Sequence, residues 1–146
     1  MDGGAGGYDS ADASHRALRG IQRELERHPA VAYVEGFPSG SFTQVVAQLQ
    51  SDVLGIDGTD ASLTVRWFAG ETPASDPEFS FHFSGNAADF GWHHEPNPHV
   101  DGWGHFQRRS NAESEYAYEQ YTFDSTNPTR IVWEIMARLP SRLDAP

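Results

Sequence analysis

The hydrophobic period along the chain changes twice. Leu18, Ile21 and Leu25 recur at helical spacing among charged residues, with Asp12 or Ser14 placed to cap the start and Pro29 just beyond the end. The pattern predicts an amphipathic helix from Asp12 or Ser14 to His28. After Pro29 the period falls to two. Val31–Phe37, Ser41–Leu49, Ser62–Phe68 and Phe79–Ser84 read as strands, and Gly104–Arg108 and Tyr116–Phe123 add two more. The clearest is Phe79–Ser84, where Phe79, Phe81 and Phe83 face one way and Ser80, His82 and Ser84 the other. Gly55–Asp60 reads as a hairpin connection, and Glu71–Pro77, with its two prolines, as a longer loop. These connections are too short for helical crossovers, so pairing should be antiparallel.

The helical period returns at the end. Asn127 can cap a helix with Pro128 in its first turn, and Ile131, Val132, Ile135, Met136 and Leu139 form its apolar stripe. Pro140 should end or kink that helix, and Trp133, at the edge of the stripe, should be buried against the sheet. Residues 1–11, rich in Gly, Ala and Asp, read as a disordered tail. Residues 12–146 then form a single α+β domain: an antiparallel sheet of about five to six strands with an N-terminal and a C-terminal helix packed on it.

Composition agrees with one globular domain. The chain has 146 residues, of which 38% are hydrophobic, with nine Phe, five Tyr and four Trp. No apolar run approaches the roughly 18 residues that span a bilayer. Met1–Tyr8 has neither a basic nor an apolar region, so no signal peptide is expected and the reading is cytoplasmic. With no cysteine, disulfides, thiol catalysis and cysteine-ligated zinc are excluded. Acidic residues number 21 against 10 basic ones, all of them Arg, for a net charge of −11. A surface so acidic and free of Lys is similar to those of proteins from salt-rich cytoplasm; codon bias against Lys is the competing explanation. At low salt such a surface repels nucleic acid, and at molar salt, where the Debye length is about 3 Å, that repulsion loses its reach.

Candidate chemistry concentrates in Trp92–Phe106, which holds His93, His94, His99 and His105 among Pro96, Pro98, Gly102 and Gly104. The prolines and glycines predict a shaped loop or hairpin. A two-residue turn at Asp101-Gly102 would set His99 opposite Gly104. A three-residue turn would set it opposite His105, with Cβ atoms about 5 Å apart. Three readings follow. Two imidazoles can act as general base and acid on a phosphodiester without a metal, and RNA carries its own 2′-hydroxyl nucleophile. Arg66, Arg108 or Arg109 would then meet the phosphate charge. Alternatively His93, His99, Asp101 and His105, with His94 in place of His93, are ligand types for a divalent metal, although their spacing matches no established metal motif. The third reading is that the histidines pack and satisfy backbone groups. No cofactor is otherwise expected.

Other residues carry less. His82 reads as a solvent-facing strand residue, and His15 and His28 as structural groups at helix ends. Arg16, Arg19, Arg23 and Arg27 form a stripe that is either a solvated face or a site for an acidic partner. Tyr116, Tyr118, Tyr121 and Trp133 can stack on nucleobases or belong to the core.

Phe79-Ser-Phe-His-Phe83, then His93-His94-Glu95-Pro96 and Pro98-His99-Val100-Asp101-Gly102, leading into an aromatic strand and a closing helix, resembles the TumE-like toxin components of type II toxin–antitoxin systems over about residues 60–139. His93, His94, Pro98 and His99 match best. The family's second histidine close behind is replaced by Val100 and Asp101, with His105 later. The resemblance implies a growth-inhibiting toxin neutralised by a partner, commonly a helix-turn-helix DNA-binding antitoxin encoded beside it. Ribonuclease activity follows from the histidines and the habits of such toxins, with His99 and His105 as the acid/base pair supported by His93, His94 and Asp101. A non-catalytic binding module associated with a DNA-binding regulator is the alternative, and a metal-dependent hydrolase the third.

The charge balance makes the first prediction. The melting temperature should rise between roughly 0.1 M and 2 M KCl as carboxylate repulsion is screened. An unchanged midpoint would remove the case for salt adaptation.

Overall fold

The computed structural model describes residues 7–58, 60–85 and 88–144. Their strands form one seven-stranded antiparallel meander in chain order: β1 (Val31–Phe37), β2 (Gln44–Leu49), β3 (Ser62–Phe68), β4 (Glu78–Gly85), β5 (Ala88–His94), β6 (Gly104–Arg109) and β7 (Ala117–Gln120). Helix α1 (Ser10–Glu26) precedes the sheet, a single turn α2 (Ser51–Leu54) links β2 to β3, and α3 (Pro128–Asp144) closes the chain. The architecture is α+β, with one strand more than the alternation predicts.

Cross-strand register gives the sheet two unlike faces. One rung runs Val45–Val65–Phe81–Trp92–Phe106 across β2 to β6, and all five side chains are buried. Leu18, Ile21 and Leu25 of α1 and Ile131, Val132, Ile135, Met136 and Leu139 of α3 join them in a single core. Because side chains alternate along a strand, the neighbouring rungs must face the other way. Those rungs are Gln44–Arg66–Ser80–His93–His105–Gln120 and Val46–Thr64–His82–Gly91–Gln107–Tyr118.

Several expectations are corrected. Helix α1 begins at Ser10, capped by Asp9, whose carboxylate accepts from the Asp12 amide at 3.1 Å. Residues 10 and 11 therefore belong to the helix, not to a tail, and the Tyr8 hydroxyl donates to the Gly70 carbonyl at 3.0 Å; residues 1–6 of the expected tail lie outside the described residues. Ser14 is not a cap but a buried pin: its hydroxyl donates to Ser10 O at 2.7 Å and accepts from the Ala69 amide at 2.8 Å, joining α1 to the end of β3. The 55–60 connection starts from a helical turn that Gly55 closes with φ 71°, rather than as a tight hairpin. Strand β5 lies where no strand is expected, because Gly91 and the histidine pair disguise the alternation of Phe90 and Trp92 with Asp89, Gly91 and His93.

Asn127 caps α3 as expected, its side-chain oxygen accepting from the Thr129 amide at 3.0 Å. Helix α3 nevertheless runs through Pro140 to Asp144. Tertiary contacts hold the turn beyond the proline: Arg108 donates to the Arg142 carbonyl, the Arg142 guanidinium lies 3.9 Å from the Phe106 ring centroid, and Leu143 packs on the core. Trp133 is also corrected. It is 42% exposed, its indole donates to Glu24 at 2.7 Å, and it lies beside His28, so it staples α3 to α1 from outside.

Ile135→Ala should therefore cost about 2–5 kcal/mol in denaturant unfolding, whereas Trp133→Ala should cost no more than about 1 kcal/mol. Equal losses would place Trp133 in the core.

Candidate functional site

The face turned away from the helices carries a charged and aromatic cluster that begins with a carboxylate. Asp89 of β5 accepts from Arg109 Nε at 2.6 Å, from the Tyr116 hydroxyl at 2.8 Å and from His82 Nε2. Burial acts to raise its pKa, but the bonds from Arg109, His82 and Tyr116 outweigh it and hold the carboxyl below its usual range. Tyr116 moves the other way, to about 12, through burial and its bond to the same carboxylate.

Asp89 thus determines the tautomer of His82. A carboxylate only accepts, so His82 Nε2 carries the proton, and Nδ1 is left facing His93 Nε2 at 3.4 Å. That contact holds one proton, either on His93 with His82 neutral or on His82 as an imidazolium balanced by Asp89. Gly91, opposite His82, makes the contact possible. A Cβ there would stand 2.6 Å from His82 Nδ1 and 2.7 Å from the Phe81 carbonyl, so any side chain would displace the ring or the strand.

His93 connects this pair to the rest of the face. Its ring stacks on that of its cross-strand partner His105 with centroids 5.2 Å apart, and its Nδ1 lies 3.9 Å from Glu95 Oε1. Burial, reinforced by the charges of His105, His82 and Arg66, lowers the His93 pKa to about 3, so the ring is neutral at neutral pH. A hollow of about 300 Å³ beside it is bordered by Arg66, Ser80, His82, Gln107 and Tyr116.

The residues expected from sequence separate here. His93 and Arg109 belong to the cluster, and Arg66 borders it, anchored through Nε to Gln44 at 3.0 Å. His105 shares the face but is fully buried under the 95–103 loop; Nδ1 lies 3.3 Å from the Trp103 carbonyl and Nε2 3.4 Å from the Asn97 amide. His99 and His105 do not pair across a tight turn in either register. The neck of the hairpin is Glu95 N to Trp103 O at 3.1 Å, and His99 lies in the intervening loop, stacked on Tyr118 at 4.4 Å. His94 points to the opposite side, where it donates to the Pro77 carbonyl at 2.7 Å and stacks on Phe79. Asp101 is exposed in the loop beside His94 and Trp103. Arg108 lies against the Phe90 ring, centroid distance 4.5 Å, on the helix-covered side. Among the described residues no three His, Asp or Glu side chains are arranged to hold a metal, so the set His93, His99, Asp101 and His105 is not assembled.

His82, Asp89 and Tyr116 are the members that sequence reading passed over or gave a lesser role. The signal for His82 and Asp89 is the polar half of two alternating strands, β4 and β5, and Tyr116 stands just before β7. His15 and His28 are structural as expected: their Nδ1 atoms accept from the amides of Phe42 and Ala30 at 2.9 and 3.0 Å. Two members of the arginine stripe are matched by neighbours on α1, Arg16 by the exposed Asp12 and Arg27 by the half-buried Glu24.

The cluster makes folding acid-sensitive. His93 is faced by His82 and Asp89, by His105, by Arg66 and by Glu95. Below about pH 6.5 the unfolded chain takes up a proton that folded His93 refuses until about pH 3, so stability present above this window is lost as pH falls through it. Asp89 acts in the same direction at lower pH. Denaturant midpoints between pH 7.5 and 4 should fall for the wild type and fall less for His93→Gln; parallel profiles would contradict the assignment. No family model, curated protein or solved structure matches the chain, and the geometry of this face carries the functional reading.

Proposed function

We propose that the protein is a metal-independent acid/base enzyme acting on RNA, the toxin half of a toxin–antitoxin pair whose partner is a helix-turn-helix antitoxin. The observation that carries this reading is the chain Asp89–His82–His93, whose histidines border one hollow together with Arg66. When His93 carries its proton on Nε2, its Nδ1 lone pair is free. Nδ1 takes the proton of a ribose 2′-hydroxyl, Nε2 passes its own proton to His82 Nδ1, and Asp89 balances the imidazolium that results. The 2′-oxygen forms a bond to phosphorus, the bond to the 5′-oxygen breaks, and that oxygen takes a proton from water; the hydroxide left takes the Nδ1 proton of His93, whose Nε2 recovers its own from His82. The products are a 2′,3′-cyclic phosphate and a 5′-hydroxyl end. Arg66 meets the charge on the phosphorane. His93 is a weak base alone, and moving the charge to His82 beside a carboxylate offsets that weakness. A cytoplasmic location is part of this proposal, as the place where a toxin and its antitoxin meet RNA.

The motif-level resemblance supports a toxin with an antitoxin as partner, and RNA as substrate rests on the histidines and the common habits of such toxins. The competing reading, a binding module, draws on the same cluster: Asp89, His82, Arg109 and Tyr116 satisfy one another as a purely structural network would.

Purified protein should cleave RNA in EDTA. His82→Gln and His93→Gln should each lower the rate roughly 10²–10⁴-fold with the fold intact, and should relieve growth inhibition on induction without the neighbouring gene. Asp89→Asn should do the same more weakly. Absence of cleavage by the wild type, or full activity in the His93 variant, overturns the enzymatic reading.

A further inference from the structure

At the ends of β3, β4 and β5 a cavity of about 580 Å³ opens next to His93, and the proposed chemistry uses only its edge. Its size is that of a small-molecule site. Its walls differ in kind. Phe68 and Phe42 supply apolar rings, and Phe68 is 38% exposed on the same side of β3 as Arg66, two residues away. Phe42 is held in place from α1, where His15 accepts its amide at 2.9 Å and meets its ring edge-on at 5.0 Å. Arg66 offers the positive group. Its Nε is bonded to Gln44, no carboxylate lies within ion-pair distance of it among the described residues, and its charge is felt at His93. The carboxylates of Glu78 and Glu95 at the border are acceptors without apolar character.

An exposed aromatic, a guanidinium and carboxylate acceptors around one hollow are complementary to a planar heterocycle that has N–H donors and carries an anion. We propose that this cavity is the subsite for one nucleotide of the substrate, the one whose 2′-hydroxyl faces His93, with its base against Phe68 and Phe42 and its 3′-phosphate at Arg66. The inference rests on the reading of the face as an RNA-cleaving site and adds where the substrate is held. Base stacking on aromatic side chains tolerates any sequence, so the subsite confers affinity before it confers specificity.

The probes are nucleoside 3′-monophosphates, which resemble the product side of the reaction and carry no scissile bond. Titrated calorimetrically into the full chain, they should bind at least about tenfold tighter than inorganic phosphate or ribose phosphate. Phe68→Ala should weaken nucleotide binding about tenfold or more and leave phosphate binding and the melting temperature unchanged. Arg66→Gln should weaken nucleotide and phosphate together. The inference is overturned if nucleotides bind no better than phosphate, or if Phe68→Ala and Phe42→Ala both bind like the wild type. The two readings fail separately. RNA cleavage with an unchanged KM in Phe68→Ala removes the subsite and keeps the enzyme. Nucleotide binding sensitive to Phe68, without cleavage by any form, keeps the subsite and removes the acid/base mechanism.

Discussion

The structure depends on a sheet covered on one face only. Helices α1 and α3 both pack on the side that carries Val45, Val65, Phe81, Trp92 and Phe106, and burial of these rings and branched chains is the main favourable term in folding. Strand geometry does the rest. With a strict period of two, every residue adjacent to a core residue is sent to the other face, and a slip of one position in β3, β4 and β5 would bury Arg66, His82 and His93 while exposing Trp67, Phe79, Phe81, Phe83, Phe90 and Trp92. The apolar ladder therefore determines where the polar one stands, and the site is a consequence of the core.

Placing polar groups on that second face has a cost, because the 95–103 loop and the rings of Tyr116 and Tyr118 partly withdraw them from water. Buried polar groups are tolerated only when their hydrogen bonds are made. Asp89 illustrates the solution: three donors, from β4, from β6 and from the approach to β7, converge on one carboxylate in β5. In a medium of low polarity such a network polarises its members, so the bonds that anchor the fold also set the tautomer of His82, while burial, with the neighbouring charges, keeps His93 neutral. Structural and chemical readings of the cluster thus share one origin. At its open edge His93 and Arg66 border two hollows.

Local signals fail where tertiary contacts supply what the local sequence lacks. Proline inside a helix removes one backbone bond, yet α3 continues past Pro140 because Arg108, Phe106 and Leu143 hold the turn that follows. Trp133 lies beside the apolar stripe and still faces outward, since its indole N–H has a carboxylate to reach in Glu24 on α1. His94 and His93 are adjacent in sequence and separated by the thickness of the sheet.

What the sequence by itself determined was the class of the fold, the two helices with their apolar stripes, the Asn127 cap and six of the strands, because periodicity and capping are local properties that register on a few neighbouring residues. It also marked His93 and Arg66 as chemical candidates. Only the tertiary structure decided the company they keep. His82, Asp89, His93 and Arg109 come from three strands, and their meeting rests on the antiparallel register of β4, β5 and β6 and on the bare backbone of Gly91. The length of the 95–103 loop likewise separated His99 from His105, which no local pattern specifies. Register and loop path are fixed by how whole strands pack under the helices, and that is a property of the assembled core.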